Sequence, residues 1–502
     1  MSKPPKNQVT KSSDTLYNAY DELDPARGIY CNRTLNLRSI KAIGYDMDYT
    51  LVHYNVNQWE ARAYSHVKAR LLQEGWPVGD LSFEPEQVAR GLVIDKELGN
   101  VVKANRFGYI KQAMHGTRPM EYGEMRDEYT RTLVELSEPR WRFLNTLFSI
   151  SAATIYCQLI DLLDEGRLPE ILSYETLFER VQKTLDAAHL EGVLKDEIMS
   201  DPERYVEPDP EMPLALLDQR EAGKKLLLIT NSGWKYTQFM MDYAVNQFLP
   251  GNMIWQDLFD ISVVSARKPD FFSGNNPIFE VVNEKGLLEP CMGPLTENGV
   301  YLGGNASFIE DFLGLSGDQI LYVGDHLFSD VNVTKSMLRW RTALVVREFE
   351  RELRAVQVNH QRQRDISMMM DKKTRLEDRY SQLRLERQRN KKQYVETTER
   401  DPEELKQMMD EIRQELVELD SKIKPLAIRD GQDFNSFWGY LMRAGNDKSH
   451  FTRQVERYAD IYTSRVSNFL RYTPFVYFRA PRGSLPHDHG LEHGGSEGIR
   501  TD

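Results

Sequence analysis

The sequence predicts an α/β protein built on a parallel sheet, and two observations carry that expectation. Three short apolar runs, "IKAIGYD" reaching Asp46, "KKLLLIT" reaching Thr230 and "DQILYVGD" reaching Asp325, are each bounded by turn residues and each open into a polar loop. Helix-like segments separate them, as in a buried parallel sheet joined by crossovers. Ligands gather beyond the carboxyl ends of such strands, so the polar loops are expected to meet at one edge.

The stretch between Asp46 and Thr230 is far longer than a crossover helix needs, which implies an inserted domain. The insertion, a cap, is placed at 61–204. It holds helical patterns such as "SYETLFERVQKTLDAAHLEGVL" and returns through the Pro- and acid-rich "DPERYVEPDPEMP". The core then comprises 18–60 and 205–348, closing near "WRTALVV". Hinged caps that cover a site are a common reason for such insertions.

Beyond the core the chain turns polar and helical. "DPEELKQMMDEIRQELVELDSKI" starts with Asp401 as N-cap, Pro402 at the first helical position and Glu404 completing a capping-box-like pair. Leu405, Met408, Ile412, Leu416, Leu419 and Ile423 form one apolar stripe, so 349–425 is expected to be a helical hairpin. Residues 426–486 are expected to form a helical segment packing on the core. The basic stretch "RLERQRNKK" is interleaved with acids and lacks aromatics, the pattern of a solvated helix face.

A chain of 502 residues has room for two or three substructures and a large core. Its 64 basic and 76 acidic residues give a net charge of −12, which argues against a broad nucleic-acid or membrane surface and leaves room for a small anionic substrate. Cys31, Cys157 and Cys291 are too few and too dispersed for a disulfide framework, which implies a reducing cytoplasm. Residues 1–17 lack the apolar segment of a secretory signal and are expected to be a flexible arm. The Gly- and Ser-rich 487–502, with His487, His489 and His493, is expected to be a disordered tail. Phe143 to Ile160 approaches the length of a membrane span, but Asn145, Thr146, Ser149, Ser151, Thr154 and Gln158 interrupt it, so a buried helix is expected.

The chemistry lies in the loops. Asp46 and Asp48, two apart at a strand end, can reach one ligand. Phosphoryl transfer needs an attacking oxygen, an acid for the leaving group, donors for the equatorial oxygens and a cation. Thr230 and Asn231 in "LLLITNSG" offer a hydroxyl and amide groups, Lys268 in "VVSARKPDFF" a positive charge, and Asp325 and Asp330 in "YVGDHLFSDV" hard oxygen ligands suited to Mg²⁺.

The order DxDx[TV], strand plus Thr, Lys, then GDxxxxD resembles the haloacid dehalogenase superfamily of phosphatases. The wording "GYDMDYTL", "TNSGWKYT", "SARKPDFF", "YLGGNASFIEDFLG", "ILYVGDHLFSDV" and "QVERYADIYTSRVSNFLRY" resembles, more narrowly, the cytosolic purine 5′-nucleotidases of the IMP/GMP-specific, high-Km type, over about residues 18 to 488. The resemblance implies a dehalogenase-like Rossmannoid core with a large, mainly helical cap and a C-terminal helical hairpin. It implies Asp46 as nucleophile forming an aspartyl phosphate and Asp48 as general acid and then base. Mg²⁺ would be held by Asp46, Asp325 and the backbone carbonyl of Asp48, with Asp330 acting through water or by orienting the ligands. Thr230, Asn231 and Lys268 would hold the phosphoryl group, and Phe148, Asp186, His189 and Lys195 the nucleoside. Two positions depart from the family pattern: Gln182 stands where an arginine is expected and Ser149 where an asparagine is expected.

The expected function is thus a Mg²⁺-dependent cytoplasmic 5′-nucleotidase acting on purine nucleoside monophosphates, with transfer to a second nucleoside as a further activity. The alternatives are the same chemistry on another phosphomonoester, or a non-catalytic interaction protein retaining the fold. Neither nucleic acid nor membrane is expected as a partner. Family resemblance implies a homo-oligomer, dimer or tetramer; "FLRYTPFVYF" suits burial at such an interface and suits a monomer core equally well.

Overall fold

A computed structural model of the chain describes residues 24–170, 172–190, 192–394 and 400–483. The expected arm at 1–17 and the histidine-bearing tail at 487–502 lie outside the described residues. Two compact units divide the chain. The first comprises Met1–His66, Leu185–Arg347 and Arg453–Asp502, and the second Val67–Thr184 and Glu348–Thr452.

A 10-stranded sheet organises the first unit. Its order is Ile29–Cys31, Ile461–Thr463, Arg341–Val345, Ile320–Gly324, Ala42–Tyr45, Lys225–Ile229, Ile261–Val264, Gly299–Gly303, Ile278–Val281 and Leu288–Pro290. From Ile461–Thr463 through Gly299–Gly303 every pairing is parallel, and antiparallel pairs close both edges. Strands covered on both faces carry unbroken apolar runs rather than alternation. The strands Ala42–Tyr45 and Ile320–Gly324 are accordingly buried at every residue.

Ala42–Tyr45 lies mid-sheet, between Ile320–Gly324 and Lys225–Ile229. Gly44 pairs with Tyr322, and a Cβ there would come within 2.8 Å of the Tyr322 ring. The glycine therefore admits a ring that packs on Phe272 and Trp340 in the core beneath the sheet.

The second unit contains an element that the sequence reading did not anticipate. Within the inserted region, beside its helices, runs an antiparallel 5-stranded sheet ordered Arg118–Pro119, Ile110–His115, Asn100–Ala104, Val93–Asp95 and Trp141–Phe143. Among the described residues one helix, Leu147–Asp164, is long and apolar enough to cross a membrane, and 72% of it is buried inside the protein. Ile155, Tyr156, Leu159 and Ile160 are fully enclosed there, as expected of a core helix.

His360–Lys392 and Pro402–Arg429 pack on one another as the hairpin. Asp401 stands at the N-cap, but its side chain makes no capping bond, so the expected capping box does not form. Residues 426–486 correct another expectation. Rather than being helical throughout, they supply the helix His450–Tyr458 and then the strand Ile461–Thr463, which joins the large sheet because its ladder groups pair with Arg341–Val345.

Candidate active site

Four adjacent parallel strands deliver the motif residues. Ile320–Gly324 leads to Asp325, Ala42–Tyr45 to Asp46, Lys225–Ile229 to Thr230, and Ile261–Val264 to the loop holding Lys268. Because the strands are parallel, their carboxyl ends open on one edge of the sheet.

Asp46, Asp325 and Asp330 are all buried, and each offers a carboxylate oxygen within 4.8 Å of the others. Lys268 Nζ lies 2.8 Å from Asp46 Oδ1 and 2.8 Å from Asp330 Oδ1. It also donates to the Tyr322 hydroxyl at 3.1 Å, which in turn donates to the Ile229 carbonyl at 2.9 Å. Burial pushes the Asp46 carboxyl up to about 7; Lys268 opposes the rise, and Asp330 and Asp48 add to it. Burial alone would lower Lys268, but Asp330 and Asp46 outweigh it and hold the ammonium well above its usual range.

Three buried carboxylates, two of them paired with the one Lys268 ammonium, concentrate acidic groups in a region of low dielectric. A divalent cation with a preference for hard oxygen ligands matches this donor set, so these residues fit Mg²⁺. Asp330, expected to act through water or by orienting the ligands, has its carboxylate beside those of Asp46 and Asp325. It is carried on a π-helical turn, Leu327–Asn332, and its Oδ2 accepts the His326 backbone N–H at 3.1 Å.

The loop after Asp46 reverses sharply. Tyr49 adopts φ 55°, and the N–H groups of Leu51 and Val52 both donate to the Met47 carbonyl at 2.9 Å. The turn directs Asp48 toward hydroxyls: its Oδ1 accepts from Tyr54 and its Oδ2 from Ser232 at 2.6 Å. Lys195, on the helix Val193–Ser200, donates to Ser232 Oγ at 3.0 Å and lies 4.6 Å from the Tyr236 ring centroid. Thr230 Oγ1 accepts the Ser232 N–H at 3.0 Å and is fully buried.

Asn231 departs from its expected use. Its amide nitrogen donates to the Lys268 carbonyl at 3.1 Å and its oxygen accepts the Lys268 N–H at 2.6 Å, so the side chain clamps the lysine loop. That loop needs fixing, since Ser265 and Arg267 both stand at positive φ.

The residues expected to hold the nucleoside are divided between the two units. Asp186 is exposed on Tyr174–Leu190, and the His189 side chain on the same helix lies outside the described residues. Phe148, half-buried in the turn Leu147–Ser149, and Gln182, also half-buried, belong to the second unit. Ser149 caps the helix Ile150–Asp164 without a side-chain bond. Ser232 is the residue that sequence reasoning missed; the available signal was its place directly after Thr230 and Asn231.

A model of the 5′ nucleotidase family matches residues 29–490. The chain belongs to the 5′ nucleotidase family. Relatives within reach include a 5′-nucleotidase domain-containing protein of Dictyostelium discoideum, 26% identical over 93% of this chain and 76% of its own length. Another is 5′-nucleotidase domain-containing protein 2 of Rattus norvegicus, 26% identical over 93% of this chain and 80% of its own. Solved structures that match include an archaeal beta-phosphoglucomutase from a Pyrococcus species, 11% identical, TM-score 0.29, covering 61% of this chain and 86% of that one. A phosphatase of the haloacid dehalogenase type from Thermococcus onnurineus matches at 14% identity and TM-score 0.23, over 61% of this chain and 87% of that one. Likenesses at that level leave the assignment to the family match, with which the strand order and the acid cluster agree. As a 5′ nucleotidase family member, the protein is a phosphoric monoester hydrolase with an α/β core.

Proposed function

We propose that the protein is a cytoplasmic, Mg²⁺-dependent nucleotidase that hydrolyses purine nucleoside 5′-monophosphates of the IMP and GMP type by way of an aspartyl phosphate. The observation that carries this reading is the buried cluster of Asp46, Asp325 and Asp330 around Lys268, with the second acid, Asp48, two residues beyond the nucleophile. Asp46, the Asp48 carbonyl, Asp325 and Asp330 would hold the cation. When bound, it neutralises charge on the phosphoryl oxygens and polarises phosphorus.

The chain's own groups then account for both half-reactions. An Asp46 carboxylate oxygen forms a bond to phosphorus while the P–O5′ bond breaks, and the electron pair left on O5′ takes a proton from Asp48. Water then attacks phosphorus and passes a proton to Asp48 as the bond to Asp46 breaks. Lys268 pairs with Asp46 and supplies positive charge beside the phosphoryl oxygens, and Thr230 and Ser232 offer hydroxyls. A nucleoside hydroxyl replacing water in the second half would give phosphotransfer.

The decisive experiment is phosphate release by the purified protein with Mg²⁺ across nucleoside monophosphates and other phosphomonoesters, with Asp46→Asn as control. Release from IMP or GMP, lost in the variant, supports the proposal; silence across the panel sinks it. A second reading, the same chemistry on another phosphomonoester, is favoured by Gln182 and Ser149, which remove a charged fork and an amide suited to an oxopurine edge. Gln182→Arg separates the two, since a gain confined to 6-oxopurine nucleotides would identify that position as part of the base pocket.

A further inference from the structure

We infer that Tyr54 and Tyr236 are positioning residues for Asp48, forming a hydroxyl chain that holds its carboxylate for proton transfer; this rests on the reading of Asp48 as the acid and base. Tyr54 ends the short strand His53–Tyr54, which pairs with Val206–Glu207 and so has a fixed backbone. Its ring is wedged between Tyr49 and Trp59, with centroids 5.2 and 4.6 Å away. That packing aims the hydroxyl at Asp48 Oδ1, to which it donates. Tyr236, on the helix Trp234–Ala244, donates to the Tyr54 oxygen at 3.1 Å. Both tyrosines are nearly enclosed, at 2% and 4% exposure, so water does not compete freely for these hydroxyls.

The choice of a hydroxyl has a chemical reason. Asp48 must exist protonated in one half-reaction and ionised in the other. An arginine or lysine partner would suit the ionised form alone, since neither has an acceptor. A phenol is both donor and acceptor. It donates to the carboxylate, and when Oδ1 carries a proton it accepts that proton's hydrogen bond and turns its own toward the Tyr236 oxygen. The Asp48–Tyr54 and Tyr54–Tyr236 contacts are thus kept in both states, with the Tyr236 hydrogen rotating away from Tyr54 when Asp48 is protonated, so the Asp48 carboxyl always has a partner.

The test uses the full-length protein with Mg²⁺ and two substrates, a purine nucleoside monophosphate and p-nitrophenyl phosphate. The aryl leaving group departs as a stable anion and needs little help from an acid, whereas the nucleoside oxygen needs a proton. First-turnover release of the leaving group is measured for wild type, Asp48→Asn, Tyr54→Phe and Tyr236→Phe. Tyr54→Phe keeps the ring packing and is expected to slow nucleoside release by about 10- to 100-fold, the range for loss of a hydrogen bond to a charged group. The KM is expected to change by less than about twofold, and aryl release by less than about threefold. Tyr236→Phe should move the same way by a smaller factor and serves as the second variant if Tyr54→Phe folds poorly. Equal slowing of both substrates, or no slowing of either, while Asp48→Asn still discriminates between them, overturns the positioning role and leaves the proposed mechanism standing. If Asp48→Asn itself fails to discriminate, the mechanism falls and the inference with it.

Discussion

A Cβ built on Gly324 would lie 2.5 Å from Asp330 Oδ2, so the absence of a side chain at Gly324 is what lets this carboxylate sit in the acid cluster. The glycine closes the strand that leads into Asp325, so one residue serves both acids. Gly324→Ala must push Asp330 away from Asp46 and Lys268. Phosphate release is expected to fall by at least about 100-fold, while the large sheet loses only the ~1–3 kcal/mol typical of an overpacked site. Steady-state assays beside thermal unfolding check this; full activity in a folded variant would show that Asp330 is dispensable.

The acid cluster gives a readout independent of turnover. Under the proposed function, Mg²⁺ would relieve repulsion among Asp46, Asp325 and Asp330 only in the folded state, so the cation should raise the unfolding temperature. At 100 times the dissociation constant the gain is about 2.7 kcal/mol for one site. In Asp325→Asn the shift should shrink or vanish, because one of the three clustered carboxylates has lost its charge. An equal shift in wild type and variant would place the cation elsewhere.

Much of this site was legible because its parts are local. The runs before Asp46, Thr230 and Asp325 are short, apolar and bounded by turns, and the sheet places them side by side. Tyr54 and Tyr236 were not legible, because a hydroxyl bonded to Asp48 leaves no trace in spacing until the strands are assembled; Ser232 had only its place after Thr230 and Asn231 to mark it. The use of the Asn231 side chain was hidden for the same reason: an amide next to Thr230 reads as a ligand, yet its two bonds go to the Lys268 backbone. The antiparallel sheet of the second unit was missed because its strands are short, some only two or three residues, and helical patterns surround them. A turn signal was present at Gly99, between Val93–Asp95 and Asn100–Ala104, where φ is 67° and a Cβ would meet Tyr174 at 2.8 Å.

The hairpin depends on few apolar contacts. Leu383, Leu405 and Met409 form its buried cluster, flanked by Tyr380, Met408 and Ile412. Its ion pairs, such as Lys373 with Asp420 and Lys372 with Glu415, are largely exposed and contribute little. Leu383→Ala is expected to destabilise the helix pair by about 2–4 kcal/mol, with hydrogen-exchange protection lost along both helices and retained in the large sheet. Loss of protection in the sheet as well would mean that the hairpin unfolds only with the rest.

Glu352 and Lys103 hold the 438–442 loop from opposite signs of charge. Lys103 Nζ donates to the carbonyls of Trp438 and Tyr440, and Glu352 accepts the N–H groups of Leu441 and Met442. Burial pushes Glu352 up to about 7, despite those bonds and the nearby ammonium, and pushes Lys103 down to about 8. Since the unfolded glutamate titrates near 4.5, the folded state holds the extra proton between 4.5 and about 7. The slope of stability with pH is therefore negative in that window: the contribution is complete below 4.5 and lost as pH rises through about 7. Lys103 works in an adjoining window, its contribution complete above 10.5 and lost as pH falls through about 8. Glu352→Gln is neutral throughout, so wild type should lose stability relative to the variant between about pH 5 and pH 8, by up to about 3 kcal/mol. Paired denaturant titrations across that range check it, and a wild-type-to-variant gap independent of pH would show that Glu352 stays ionised in the fold.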